Sequence, residues 1–229
     1  MAKEFLYLHW RAVRLGLIPI MLAAFGVPLI MVQGLGRPEG MTDGFYASFI
    51  LDGMSPKLLL FPITAAITGI SLALTAWTWD HEMRHVYSLS LPLSRPQYAL
   101  YKFGAGAVLA LLPTAALLVG TVVASSSMTL PATLAAYPLA VTTRFLFSLL
   151  LVYAITFAFA AGSIRTTVIA LTSWVVLLTI GNSVVNSFGS LIGEPGLMTF
   201  NFTYWVLQVV TSWPGPLHML TGNWALIDV

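Results

Sequence analysis

Residues 80–102 read DHEMRHVYSLSLPLSRPQYALYK, and they lie between two long apolar runs, residues 58–79 and 103–124. Only 8% of the chain is charged, yet five of its charged residues fall in this stretch. Apolar runs of about 20 residues have the length of a membrane-spanning helix. The stretch is therefore predicted to be a polar loop between two spans, and its basic residues favour the cytoplasmic side.

The composition of the whole chain indicates an integral membrane protein. Apolar residues make up 58% of its 229 residues, which is typical of an all-α polytopic helical bundle rather than a soluble domain. The length leaves room for five or six spans in a single transmembrane domain, residues 1–229. The chain has no cysteine, which excludes disulfides and thiolate metal sites, and a net charge of +2 gives no indication of nucleic-acid binding.

Five apolar runs of span length are followed by one weaker run. The five are residues 15–33, 58–79, 103–124, 138–162 and 168–188, and the weaker one is residues 197–213. No Lys or Arg follows the weaker run, so we expect residues 189–229 to form an outer-side segment with a re-entrant or interfacial part. On this interpretation the chain has five full spans and ends outside, and a sixth span would be missing from this sequence.

Charge asymmetry predicts the orientation. If the N-terminus is inside, the inner segments hold seven basic and three acidic residues, which fits the positive-inside rule. Within residues 1–14, Phe5, Leu6, His9 and Val13 fall broadly on one side of a helix. This pattern predicts a short interfacial amphipathic helix along the inner headgroup layer, before the chain turns into the bilayer. The alternative is a frayed basic tail that only sets the topology.

The loop itself has helix signals. Asp80 and Glu82 favour a helix N-terminus, where the dipole end is positive. Apolar residues then recur at helix-like spacing, which predicts a short helix with an apolar edge: Val86, Leu89 and Leu93. Pro92 and Pro96 are expected to limit this helix.

The loop resembles the corresponding region of ABC transporter permeases of the ABC-2 type exporter family. The residues that match the family's motif are Glu82, Leu89, Leu91-Pro92-Leu93-Ser94-Arg95, Tyr98 and Lys102. The family's usual Gly-Thr after the acidic residue is absent, and His85-Val86-Tyr87 occupy that region. The motif covers about fifteen residues, while the arrangement of spans resembles the family over nearly the whole chain.

The resemblance implies that residues 80–102 form a coupling helix that docks into a separate ATPase subunit. The expected contacts with that subunit are Glu82, Arg84, Leu89, Leu91, Pro92 and Arg95. The chain has no Gly-x-x-x-x-Gly-Lys-Ser/Thr loop, so ATP and Mg²⁺ would be bound by the partner and this chain would not itself be an enzyme. The implied assembly contains two ATPase subunits and a second permease chain, identical or homologous. The alternative for the loop is a solvated turn without a partner.

Polar residues inside the apolar runs are further candidates for the substrate path or a subunit boundary. In the second run Thr64, Thr68, Ser71, Thr75 and Thr78 share one helix face. Such hydroxyls either line an interface or path, or pack and bond to carbonyls of their own helix.

Three positions in two later runs carry similar alternatives. Arg144 lies about 9 Å inside the fourth run, where it either acts on substrate or gating, or snorkels to the surface. Asn182 and Asn186 are one turn apart in the fifth run, where they either line an outer cavity or satisfy neighbouring helix ends.

Other classes of function receive less support from the sequence. The four histidines form no metal-ligand pattern, so no metal site is expected. A secondary transporter is disfavoured because no Asp or Glu lies within the runs to couple protons or sodium. A non-transporting membrane anchor, or an assembly or immunity module, that docks a soluble partner through the same loop remains the alternative function.

Overall fold

The computed structural model describes residues 2–37, 39–82, 93–162, 201–212, 215 and 217–228, together with residues 169, 172, 173, 175–177, 179–181, 183 and 184. These residues are mostly helical. Four helical segments within them are long and apolar enough to cross a membrane: Lys3–Val32, Asp43–Thr78, Arg95–Ser126 and Pro138–Ala161. The prediction of a helical membrane protein is thus confirmed.

The first two segments form an antiparallel pair. Helix α1 (Ala2–Val32) is followed by α2 (Asp43–Met54), a 3₁₀ turn (Ser55–Lys57) and α3 (Leu60–Glu82). The Lys57 ammonium donates to carbonyls at the end of α1, while α3 runs back alongside it. Helix α2 was not predicted, because its 12 residues are too few to form an apolar run of span length.

The third and fourth segments complete the bundle. Helices α4 (Arg95–Leu109) and α5 (Leu111–Ser126) meet at Ala110, and α6 (Pro138–Ala161) returns. The interruption lies just before Pro113, which cannot donate to the carbonyl four residues earlier and clashes with it. Helix α1 and the α4–α5 segment run parallel: Phe5 contacts Tyr98, and Gly120 lies against the backbone of Phe25.

Close helix approach depends on small residues. A Cβ atom added at Gly69 of α3 would lie 2.8 Å from the carbonyl oxygen of Leu149 and 2.9 Å from the backbone nitrogen of Tyr153, both in α6. The absence of a side chain at Gly69 therefore lets the backbones of α3 and α6 touch, as is common where helices cross in a membrane.

The described residues form two compact units, one of Met1–Ala160 with Asn223–Val229 and one of Ala161–Gly222. In the first unit, β1 (Ala135–Ala136) pairs antiparallel with β2 (Ile227–Asp228), with Ala135 opposite Asp228. The second unit contains α7 (Phe202–Thr211) and the single turn α8 (His218–Thr221). At 1.5 Å per residue α7 is about 15 Å long, half the thickness of a bilayer core.

The structure corrects the prediction of a separate N-terminal helix. Residues 2–32 form one continuous helix with no turn after residue 14. Phe5, His9, Val13 and Leu17 lie on one face and are all buried against the bundle. The apolar side that we assigned to the headgroup layer therefore packs on protein, and its spacing continues without interruption into the span.

The loop prediction is also corrected in part. Asp80 and Glu82 lie in the last turn of α3 rather than at a helix start, because the helical pattern of the span continues through them. Pro96 does not end a helix. It lies in the first turn of α4, where backbone N–H groups have no acceptor within the helix, so the missing N–H of proline costs no hydrogen bond. The helix expected around Leu89 lies outside the described residues.

Candidate functional site

The bundle has two ends, and the candidate residues divide between them. We call the end with the start of α1, the end of α3 and the start of α4 the loop end. We call the end with the close of α1, the start of α3 and the two strands the strand end.

Lys102 is the centre of the loop end. Its ammonium donates to the carbonyl of Ala76 at 2.7 Å, and so joins the middle of α4 to the last two turns of α3. The same ammonium lies 4.6 Å from the ring centroid of Trp77 and 5.1 Å from that of Tyr98. Cation–π contacts of this kind hold a charge at the edge of an apolar region. Lys102, expected only as the last residue of the motif, therefore connects two spans.

Aromatic rings extend this contact to two further helices. Phe5 of α1 meets Tyr98 edge-on and stacks on Tyr101. Trp77 packs on Phe157 of α6, with ring centroids 5.2 Å apart. The loop end is thus a ring cluster to which all four spans contribute, with residues 76 and 102 as its polar bridge.

Two buried polar atoms of this cluster have no hydrogen-bond partner among the described residues: His9 Nε2 and Trp77 Nε1. Both side chains are only 6% exposed. A buried donor or acceptor without a partner costs about 1–3 kcal/mol. The core of the loop end therefore contains two polar atoms that no described residue satisfies.

The start of α4 presents Arg95. Arg95 is the first residue of the helix and is exposed, as is Ser94 before it. The backbone N–H of Ser94 donates to Gln97 Oε1 at 3.2 Å, which fixes the helix start. Arg95 is thus held on a defined element and is free to point away from the bundle. The side chain of Glu82 and residues Arg84, Leu89, Leu91 and Pro92 lie outside what the structure describes.

The hydroxyl face of α3 is largely bonded to its own helix. Four threonines donate to carbonyls one turn earlier: Thr64 to Leu60, Thr68 to Thr64, Thr75 to Ser71 and Thr78 to Leu74. Their donor–acceptor distances are 2.6–2.9 Å. This arrangement matches the alternative in which the hydroxyls pack and bond to carbonyls of their own helix. The hydroxyl protons of the four threonines are already donated to these carbonyls. A role for Thr64, Thr68, Ser71 and Thr75 in a substrate path stays a prediction.

Arg144 holds the C-terminal segment at the strand end. Its guanidinium donates to the carbonyl of Asn223 at 2.5 Å and lies 5.3 Å from the ring centroid of Trp224. Trp224 in turn stacks on Phe61 of α3 at 5.9 Å. Arg144 is therefore a structural clamp between α6 and residues 223–224, a contact 79 positions apart that no local pattern could indicate.

Lys57 closes the other side of the strand end. Its ammonium donates to the carbonyls of Ile30, Met31 and Gln33 at 3.2, 3.4 and 3.2 Å. These carbonyls lack helical partners because α1 ends there. A cation at this position also interacts favourably with the helix dipole. We missed this role, for which the only sequence signal is a lysine before the second apolar run.

The remaining candidates give less information. Asn182 and Asn186 lie outside the described residues, although Thr179 and Ser183 nearby donate to carbonyls one turn earlier. Within the described ranges no group of three or more His, Asp or Glu is placed to hold a metal ion. No family model, curated protein or solved structure matches this chain.

Proposed function

We propose that this chain is the membrane-spanning subunit of an ATP-driven ABC exporter, coupled to a separate ATPase through residues 80–102. The observation that carries the proposal is the bridge from Lys102 to the carbonyl of Ala76. Both flanks of the loop are joined by this bond, so a force applied to the loop acts on α3 and α4 together. The ring cluster also connects these two helices to α1 and α6.

The proposed docking surface uses the contacts that the motif implies. Arg95 is exposed at the start of α4 and suits a charge-assisted bond to an acidic groove residue. Arg84 would act in the same way, while Leu89 and Leu91 would fill the apolar floor of the groove. The partner would bind ATP and Mg²⁺, and two such partners would act on a pair of permease chains.

We further propose five spans, with the N-terminus in the cytoplasm of a bacterium and the end of the chain outside. Within the first unit, Phe157 near the end of α6 packs on Trp77 at the loop end. Residues 223–228 pack at the strand end, where Tyr137 N–H donates to Leu226 O at 2.8 Å. We propose that residues 161–222 connect these two ends by an odd number of crossings of the bilayer. One crossing, by residues 168–188, gives five.

The charges of the first unit support the orientation. The described cations at the loop end are Lys3, Arg11, Arg14, Arg95 and Lys102, and those at the strand end are Arg37, Lys57 and Arg144. The strand end also holds more carboxylates, among them Asp43 and Asp228. The positive-inside rule then assigns the loop end to the cytoplasm, which is the side on which an ATPase would bind.

Co-purification tests the coupling. The chain is solubilised in mild detergent, and bound proteins are identified by mass spectrometry for wild type and for Glu82→Ala/Arg95→Ala. The matched control is Arg37→Ala/Asp43→Ala, which removes one base and one acid at the opposite end. We expect an ATPase with wild type and with the control, and its loss from the first variant. Recovery of a non-ATPase partner alone would instead favour the anchor or assembly function.

Single cysteines test the topology, and the absence of native cysteine makes the background clean. Cysteine is placed at Ser94, Ala135 or Asp228 and treated with a membrane-impermeant maleimide in oriented vesicles or cells. We expect Ala135→Cys and Asp228→Cys to react from the same side, and Ser94→Cys from the other. Labelling of Ser94→Cys and Asp228→Cys from one side would contradict the five-span arrangement.

A further inference from the structure

We infer that Trp10, Arg11 and Arg14 of α1 form a binding site for the phosphate headgroup of an anionic phospholipid. In the continuous helix α1, Arg14 follows Trp10 by four positions and Arg11 by three, so both side chains neighbour Arg14 on the helix surface. All three are exposed, and Trp10 shows 40% of its surface. The site differs from the proposed ATPase contacts in residues and in ligand.

The face is defined by what the bundle covers. Phe5, His9, Val13 and Leu17 recur every four residues and are buried. Trp10, Arg11 and Arg14 fall outside that row, and turn away from the helices that cover it. They are therefore exposed on the described part of the first unit, and in the proposed orientation they face the lipid headgroups.

The depth of the site matches the headgroup layer. Helix α1 has 31 residues and is about 46 Å long. About 20 residues cross the hydrocarbon core, and the apolar run begins at Leu15, directly after Arg14. Trp10, Arg11 and Arg14 span about 6 Å along the axis. They consequently lie at the boundary between the acyl chains and the headgroups, where tryptophan and arginine are both favoured.

The arginines of the site have no acidic partner within the described part of the chain, which leaves out the side chains of Asp80 and Glu82. Among the described residues no carboxylate forms an ion pair with Arg11 or Arg14, whereas Arg37 pairs with Asp43 at 2.7 Å. Glu4 is the nearest acidic residue along α1 and lies seven positions before Arg11, about 10 Å along the axis. Two guanidinium groups one turn apart present forked donors that suit phosphate oxygens. An anionic lipid supplies both the missing charge and the acyl chains beside Leu15.

Lipid retention tests the site. The full chain is reconstituted with phosphatidylcholine and a minor fraction of phosphatidylglycerol, re-extracted in mild detergent, and analysed for bound lipid by native mass spectrometry. We expect wild type to retain phosphatidylglycerol above its bulk share. Arg11→Gln and Arg14→Gln should each lower the enrichment about fivefold, and the double variant should abolish it.

The controls separate charge, fold and ligand source. Arg37→Gln removes an exposed arginine at the strand end and should leave the enrichment unchanged, while Arg11→Lys/Arg14→Lys keeps both charges and should retain part of it. Inorganic phosphate at millimolar concentration should not displace the lipid. The inference is overturned if wild type shows no preference, if Arg37→Gln loses as much, if the lysine variant equals the glutamine variant, or if free phosphate displaces the lipid.

Discussion

The two ends of the bundle are held together by different kinds of contact. At the strand end each of the cations Arg37, Lys57 and Arg144 has a defined oxygen partner within 3.4 Å. Tyr46 in the same region donates its hydroxyl to Leu35 O at 3.0 Å. At the loop end the contacts are mainly between aromatic rings, and two buried polar atoms have no described partner. The described contacts of the strand end are thus mainly directional bonds, and those of the loop end are mainly ring contacts, apart from the bond from Lys102 to the carbonyl of Ala76.

This difference indicates which end is built to move. Hydrogen bonds to charged groups tolerate little displacement, because their energy falls steeply with geometry. Ring contacts persist when helices slide past one another. A buried polar atom without a partner is stabilised by any arrangement that supplies one. We therefore expect the strand end to act as the fixed point and the loop end as the end that responds to a partner.

Trp224→Ala should have the largest effect on stability. Trp224 is 4% exposed, stacks on Phe61 and lies beneath Arg144. Removing a buried aromatic side chain costs about 3–5 kcal/mol, and the thermal stability of the detergent-solubilised protein should fall accordingly. Tyr7→Ala, at a position of the loop end that is 63% exposed, is the control and should leave the thermal midpoint nearly unchanged. Equal losses would contradict the difference between the ends.

Lys57→Met should have the next largest effect. Methionine keeps the length of the side chain and removes three charge-assisted bonds to the end of α1. The expected loss in unfolding free energy is about 2 kcal/mol, measured by denaturant titration in mixed micelles. Lys3→Met changes an exposed lysine near the other end of the same helix, and we expect no loss. A stable Lys57→Met variant would show that the closing of α1 does not depend on this charge.

These positions also show what the sequence could predict. Hydropathy located the fourth span, since α6 runs from Pro138 to Ala161 against a predicted 138–162. It did the same for the second, where α3 covers Leu60–Glu82 against 58–79. Burial in a membrane depends on local composition, which a single sequence displays directly.

The bonds that close the strand end could not be predicted in this way. Lys57 donates to carbonyls 24–27 positions away in the sequence, and Arg144 donates to the carbonyl of Asn223, 79 positions away. Every residue has a backbone carbonyl, so the sequence does not show which carbonyl will accept a bond. Strands of two residues are also too short to leave a recognisable sequence pattern. The continuous α1 was missed for a different reason: charged residues suggested a boundary, but the buried row from Phe5 to Leu17 follows helical spacing through it.

The same substitution at both ends sharpens the comparison. Trp77→Phe removes a buried indole N–H that has no described partner, while keeping most of the ring. The relief of about 1–3 kcal/mol for an unsatisfied donor should offset the lost packing, so stability should change little. Trp224→Phe has no such relief and should be the less stable variant by about 1–2 kcal/mol. Thermal unfolding of both variants in one detergent measures the difference. A lower stability of Trp77→Phe than of Trp224→Phe would contradict the argument that the loop end contains an unsatisfied indole N–H.

The exposed ion pair at the strand end should have the smallest effect. Arg37 and Asp43 lie 2.7 Å apart, but their side chains are 46% and 62% exposed. Pairs of this kind contribute about 0–1 kcal/mol, because water screens the attraction and two flexible side chains must be ordered. Arg37→Ala/Asp43→Ala should therefore lower the unfolding free energy by less than about 0.5 kcal/mol. A loss as large as that of Lys57→Met would mean that the strand end is held by its surface charges, and not by cations that cap its backbone carbonyls.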